Sequence, residues 1–248
     1  MKSTERCKIW IDVFKSLIGS FGKSKANILN TEETIELLEQ TGKSFIRFGD
    51  GEIGIFRGKS VHYQQWSKEL YDNFLKLKEQ YERDKECTFI LGVPYKYFAN
   101  SSIKLLKKRV LISSWAQSKF YFQREFSPNI TYGDAFLFAK GKEDMYSKIW
   151  FNCENIDFVH NNIRYAKQFE KRYHKKVFFV EIPSHNTFEQ YGNIFNRICD
   201  ILNTLEKDKT QVLVSAGPAG KLLVLDIAKM GFRAIDTGHC WDDPLDEY

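Results

Sequence analysis

Proline and glycine are scarce in this chain, 5 and 15 of 248 residues. So few chain-breakers exclude collagen-like, Pro-rich or loop-dominated scaffolds and favour a chain rich in regular elements. Cysteine is also sparse. Cys7, Cys87, Cys153, Cys199 and Cys240 are odd in number and never in C-x-x-C spacing. That argues against a disulfide framework or a structural zinc site, and for a reducing compartment. No run approaches the roughly 18 apolar residues of a membrane span. Lys8, Asp12 and Lys15 interrupt the stretch that a signal peptide would keep apolar. The expectation is a cytoplasmic protein, reaching at most the inner face of the membrane.

A strong excess of one charge is missing too. The 37 basic residues face 32 acidic ones, for a net charge of +5. This permits anionic partners without demanding a nucleic acid, and none is expected. What the chain does have is aromatic side chains: 21 Phe, 12 Tyr and 5 Trp. Hydrophobic and charged fractions of 43% and 28% are those of ordinary globular proteins. No repeat, low-complexity tract or linker divides the sequence, so one domain over residues 1–248 is expected.

Apolar periodicity gives the outline. Trp10, Val13, Phe14, Leu17, Ile18 and Phe21 have helical spacing within 1–25, beside Lys2, Arg6, Lys8 and Lys15. This amphipathic helix either packs on protein or lies on a membrane surface. Asn30 and Glu33 have the spacing of a capping pair for a helix ending at Gly42. Strand character is expected over Lys43–Phe48, Thr88–Val93, Ala135–Ala139, Val177–Ile182, Val212–Ser215 and Phe232–Asp236. Helical patterns fall between most of them, at Ser67–Arg83 and Asn161–His174 for example. Thr187 and Gln190 read as a capping box for a further helix. Gly217-Pro-Ala-Gly220 reads as a turn, with Pro218 near the start of another helix, Lys221–Met230, which closes at Gly231. Alternating strands and helices predict an α/β fold, Rossmann-like, with a mainly parallel sheet flanked by helices.

Ligands of such sheets sit at the carboxyl ends of the strands. Two polar clusters fall at predicted strand ends: Gly49-Asp50-Gly51-Glu52 after the first, and Thr237-Gly238-His239 with Asp242 and Asp243 after the last. Asp50 and Glu52, two apart in a turn, can point the same way. Paired carboxylates would suit Mg²⁺ or Mn²⁺, which usually bridge to substrate phosphates. An acidic surface turn is the alternative. His239 reads as a ligand, a base or a hydrogen-bonded strand-end histidine. Gly217-Pro-Ala-Gly-Lys221 lacks the Walker spacing, but its helix start could receive an anion. The basic clusters Lys104–Arg109 and Lys171–Lys176 read as solvated helix ends.

Phe45-Ile-Arg-Phe-Gly-Asp-Gly-Glu52 followed by Gly58-Lys-Ser-Val-His-Tyr-Gln64 resembles the opening of the bacterial glycosyltransferases with the GT-D fold, first catalogued as a domain of unknown function. Leu91-Gly-Val-Pro94, Tyr132-Gly-Asp-Ala-Phe136, Ile182-Pro-Ser-His-Asn186 with Tyr191, Ala216-Gly-Pro218 and Leu225 through His239 follow in that family's order. The resemblance implies a metal-dependent hexosyltransferase using a UDP-sugar and Mn²⁺ or Mg²⁺. Asp50, Glu52 and His239 would hold the metal. Arg47, Gly49, Gly51, Gln64, Asn186 and Gly217 would contact the nucleotide-sugar, and Asp242 or Asp243 would deprotonate the acceptor. The expected partners are the UDP-sugar and a glycan or lipid-linked glycan from cell-surface polysaccharide or glycoprotein synthesis. Peripheral membrane contact and oligomerisation are both compatible with this. A non-catalytic nucleotide-binding subunit of a glycan-assembly complex is the competing reading.

Overall fold

The computed structural model describes residues 11, 14–101 and 115–242. Eight strands form one sheet: β1 Asn27–Ile28, β2 Ser44–Arg47, β3 Phe89–Val93, β4 Thr131–Asp134, β5 Asn155–His160, β6 Lys176–Glu181, β7 Thr210–Val214 and β8 Arg233–Asp236. Their order is β1-β4-β3-β2-β8-β7-β5-β6, and every described pairing within it is parallel. The α/β fold with a parallel sheet flanked by helices is as the sequence implied.

Side chains alternate across the sheet and are apolar on both faces, as a doubly covered parallel sheet requires. Phe45, Phe158, Leu213 and Ile235 join one core layer, while Ile46, Val159, Val212, Val214 and Ala234 join the other. The aromatic richness is accounted for largely here. Phe48, Phe56, Phe74, Phe122 and Phe126 make ring contacts in one layer, and Phe138, Trp150, Phe158, Phe169 and Trp241 in the other.

Local signals act as read at several helices. Asn30 Oδ1 accepts from Glu33 N at 3.0 Å and Glu33 Oε2 from Asn30 N at 2.8 Å, closing the capping box of helix Thr31–Thr41, which ends at Gly42. Ser67 caps Lys68–Arg83, whose buried stripe is Leu70, Phe74 and Leu77. Helix Gly217–Lys229 starts at Gly217 rather than at the expected Lys221, taking in the stretch read as a turn, and is buried on nearly all sides.

Four expectations need correction. Ala135–Ala139 is a turn rather than a strand, and β4 lies just before it. Its apolar character reflects burial of Leu137 and Phe138 in the core, not strand pairing. β5, missing from the sequence reading, is an interior strand whose pattern is broken by the buried polar residues Asp157 and His160. Thr187–Gln190 is a short 3₁₀ helix, with Thr187 Oγ1 donating to the Pro183 carbonyl instead of capping. Gly49–Glu52 is a helix start rather than a free turn: Gly49 is the N-cap of Asp50–Phe56.

Candidate active site

The strand order reverses at β2, with β3 and β4 on one side and β8 on the other. Such a switch point leaves a crevice at the carboxyl ends of the strands, where open α/β sheets take their ligands. A cleft of about 360 Å³ lies there. Its walls come from the turns after β2, β7 and β8, so the two clusters picked out from the sequence do face the same edge.

Helix geometry separates the two carboxylates. Residues two apart on a helix are rotated by about 200° from each other, so Asp50 and Glu52 cannot share a direction. Asp50 is exposed and lines the cleft, while Glu52 is buried at its floor. Glu52 Oε2 accepts the Gly49 N–H at 2.7 Å, and Oε1 lies 3.2 Å from Lys221 Nζ.

Lys221 organises the floor. Four residues into helix Gly217–Lys229, its ammonium also lies 3.1 Å from Asp236 Oδ2, at the end of β8. Burial alone would lower its pKa, but the carboxylates of Asp236 and Glu52 outweigh burial and hold it above the ordinary lysine value. Asp236, fully buried, accepts from Arg47 N at 3.2 Å and Gly238 N at 3.1 Å. The Arg47 guanidinium lies 3.8 Å from Asp236 Oδ1, donates to the Ala135 carbonyl at 2.9 Å and covers the Phe138 ring. Its Nε is buried without a hydrogen-bond partner. Two acids and two bases, from β2, β8 and two helices, thus form one buried charge network beneath the cleft.

Two glycines are required by this packing. Gly238 has φ 50°, and a Cβ there would overlap the Arg47 guanidinium. Gly217 has φ 54°, and its Cβ would stand 2.8 Å from the Tyr63 ring. Burial and the Glu52 charge push the Tyr63 phenol up to about 12, so it remains a neutral donor in the cleft.

At the rim, His239 Nδ1 lies 3.4 Å from Asp242 Oδ1, and both side chains line the cleft. His160, at the end of β5, lines it as well. Its Nδ1 accepts the Asn162 N–H at 3.1 Å and burial lowers its pKa, which leaves a neutral ring with its proton on Nε2.

Of the residues singled out from sequence, Arg47, Gly49, Asp50, Gly51, Glu52, Gln64, Gly217, His239 and Asp242 line this one cleft. Asn186 is not part of its lining: its Oδ1 accepts from Gln65 N at 2.9 Å and its N–H donates to the Tyr63 carbonyl at 2.8 Å, fastening the Tyr63–Gln65 loop. Gln64 Oε1 accepts the Phe188 N–H at 3.1 Å and so ties the same loop from within. Asp243 lies outside the described residues, as do Trp10 and Val13. Trp115 lines the cleft, whereas Trp241 packs on Phe158 and Trp66 donates to the Ile55 carbonyl. Lys221, Asp236, Tyr63 and His160 were not picked out from sequence. For Lys221 a signal existed: it is one cation near the start of an apolar helix, read only as failing the Walker pattern.

Among the described residues no three His, Cys, Asp or Glu side chains converge to hold a metal ion. Asp50, Glu52 and His239 are therefore not a ready-made three-ligand centre, because Lys221 already occupies the charge of Glu52. The donor set does fit a hard cation that takes most of its ligands from phosphate and water, since such an ion needs only one or two protein carboxylates. Asp50 is placed for that. Also among the described residues, no helix is long and apolar enough to cross a membrane.

A parallel α/β sheet with a charged crevice at its switch point defines an open α/β protein that takes its ligand at the carboxyl ends of the strands. The family model described as glycosyltransferase GT-D fold matches residues 45–244, and the chain belongs to this family of glycosyltransferases. It is 23% identical over 228 residues to the "Probable glycosyl transferase Gly" of Streptococcus gordonii, covering 86% of this chain and 32% of that protein. It is 23% identical over 237 residues to "Glycosyltransferase GlyD" of Streptococcus pneumoniae serotype 4 (strain ATCC BAA-334 / TIGR4), covering 84% and 26% respectively. The chain thus spans about a third and a quarter of these relatives. A solved structure from Streptococcus sanguinis, described as a new glycosyltransferase (DUF1792), superposes with a TM-score of 0.66 at 19% identity, over 87% of this chain and 82% of that one. Another, reported as the domain of unknown function 1792 with a distinct glycosyltransferase fold, gives 0.68 at 21% identity, over 92% and 83%.

Proposed function

We propose that this chain transfers a hexose from a UDP-sugar to a hydroxyl of a glycan or lipid-linked glycan. One observation carries this reading: within a GT-D chain, the N-terminus of helix Gly217–Lys229 and the cations Arg47 and Lys221 meet in one cleft at the switch point. A helix start offers free N–H groups and the positive end of its dipole. Gly217 lets a phosphate approach that backbone, and the ring of Tyr63 beside it offers a face for the nucleotide. The Lys221 and Arg47 charges act across a low-dielectric floor on the negative charge that grows on the diphosphate as the glycosidic bond breaks.

Asp242 takes the proton of the acceptor hydroxyl, and His239, 3.4 Å from it, holds and polarises the carboxylate. A Mn²⁺ or Mg²⁺ ion, when bound with the donor, would be held by Asp50 and would add Lewis-acid neutralisation of the diphosphate. Trp115, on the wall of the cleft, gives a sugar ring an apolar surface to stack on.

The test is UDP release from a panel of UDP-sugars, with calorimetric titration of UDP. Donor-selective UDP release that Asp242→Asn abolishes, with UDP affinity preserved, is expected. UDP binding without sugar release from any donor would replace this reading with that of a non-catalytic nucleotide-binding subunit. Absence of UDP binding would overturn both.

A further inference from the structure

Residues 14–19 are helical and meet the body of the protein through Leu17, which packs against the core, and through small side chains. Ser16 and Ser20 are buried, Ser20 Oγ donates to the Leu17 carbonyl at 2.9 Å, and a methyl group on Gly19 would overlap the Phe120 ring. Three large apolar side chains point the other way: Ile11, Phe14 and Ile18 are 48%, 63% and 51% exposed. At 3.6 residues per turn, positions 11, 14 and 18 share one face, with 16 and 20 opposite. A surface helix ordinarily buries its apolar stripe and turns serines to water. Here Leu17 packs inward and Phe21 is half-buried, but packing on its own domain leaves Ile11, Phe14 and Ile18 uncovered.

Charge distinguishes what does. Residues 1–25 hold Lys2, Arg6, Lys8, Lys15, Lys23 and Lys25 against Glu5 and Asp12. Residues 102–114 hold Lys104, Lys107, Lys108 and Arg109 with no acid. With these two segments set aside, acidic residues outnumber basic ones in the remainder. Phe21 and Gly22, in the first segment, meet Asn100 and Ser101, which precede the second in sequence. Ser101 Oγ donates to the Phe21 carbonyl, and Lys119 Nζ donates to the carbonyls of Gly22 and Asn100. A second copy related by a two-fold axis would set these cations against each other. An anionic lipid surface complements both the stripe and the charge.

We propose that this face docks on a bilayer leaflet containing anionic phospholipid. Ile11, Phe14 and Ile18 enter the boundary of the acyl chains, and the exposed Lys15, Lys23 and Lys25 lie among the headgroup phosphates. The inference stands apart from the sugar chemistry, since none of these residues lines the cleft.

Co-sedimentation of the full chain with vesicles tests it, comparing phosphatidylcholine with and without phosphatidylglycerol. Binding to the anionic vesicles, weakened by salt, is expected. Phe14→Ser combined with Ile18→Ser should lower the partition coefficient at least about tenfold, with an unchanged circular dichroism spectrum because both side chains are exposed. Phe151→Ser, which removes the most exposed large hydrophobic side chain among the described residues at 76%, should leave binding as it was. Equal binding to neutral vesicles, or anionic binding indifferent to the double substitution, would overturn the proposal. So would a dimer in vesicle-free solution that the double substitution dissolves.

Discussion

Replacing Lys221 by methionine tests the charge network directly. The side chain is of similar length, so the change removes an ammonium while keeping most of the packing volume. It leaves Glu52 and Asp236, both buried, without the cation that lies 3.2 Å from one and 3.1 Å from the other. Breaking a buried pair by deleting one partner costs about 3–5 kcal/mol. Asp236 keeps two backbone N–H donors and Glu52 keeps one, which places the loss near the lower end, about 3 kcal/mol. For a domain of this size that lowers the melting temperature by about 6–12 °C. The pH dependence gives a second readout. The Lys221 pKa is raised in the folded state, so its contribution is complete below the unfolded lysine value near 10.5 and is lost as pH climbs through the folded value. Wild type should therefore lose stability on the alkaline side of that window and Lys221→Met should not. Adding Glu52→Gln to Lys221→Met should recover part of the deficit, because the amide carries no charge to leave unpaired. Urea unfolding across pH, followed by circular dichroism, measures all three. A Lys221→Met protein as stable as wild type at neutral pH, with no change in its alkaline behaviour, would refute the reasoning.

Asp157 offers an independent test in the sheet interior. Both its oxygens lack a hydrogen-bond partner, and burial pushes its carboxyl up to about 8. A folded value raised above the unfolded 3.8 makes stability fall as pH rises between the two, by at most about 1.4 kcal/mol per pH unit. Asp157→Asn should remove that slope, and equal slopes in urea unfolding would count against it. Gly217→Ala should weaken UDP binding at least about tenfold, because φ 54° and the Tyr63 ring both oppose a Cβ; unaltered calorimetric affinity would exclude this close approach. Asp242→Asn should lower kcat by about 10²–10⁴ with little change in donor KM, and a loss confined to KM would reassign the residue to binding. Asp50→Ala and chelation by EDTA should each depress UDP release, and neither should add to the other. Activity indifferent to EDTA would leave Lys221 and Arg47 as the cations facing the diphosphate.

The parts of the fold that were legible in sequence are those governed by local chemistry. Asn30 and Glu33 close their capping box whatever surrounds them, and Gly42 ends the helix because it alone tolerates φ 64° there at no cost. β5 was illegible for the opposite reason. A strand buried on both faces announces itself by an apolar run, and Asp157 and His160 interrupt that run with polar groups that the finished fold nonetheless buries. The turn after β4 misled in the reverse sense, since Ala135–Ala139 is apolar through tertiary burial while only its first N–H, that of Ala135, reaches the neighbouring strand, at the Val93 carbonyl.

The site divides in the same way. Gly49-Asp50-Gly51-Glu52 and Gly238-His239 stood out because glycine beside carboxylate or imidazole at a strand end is a local pattern. What that pattern could not convey is which carboxylate meets the ligand. Once Gly49 becomes an N-cap, the helical turn sends Asp50 into the cleft and Glu52 to the floor. Glu52 then needs a buried cation, and Lys221, 169 residues further on in the 248-residue sequence, supplies it from another helix. A pair of acids that reads as one metal clamp is thus two devices. One lines the cleft, and the other fixes the ammonium at its floor. Asp236 has no local signature, and the cation near the start of an apolar helix, visible as such at Lys221, acquires its role only from the acids that the sheet order brings beside it.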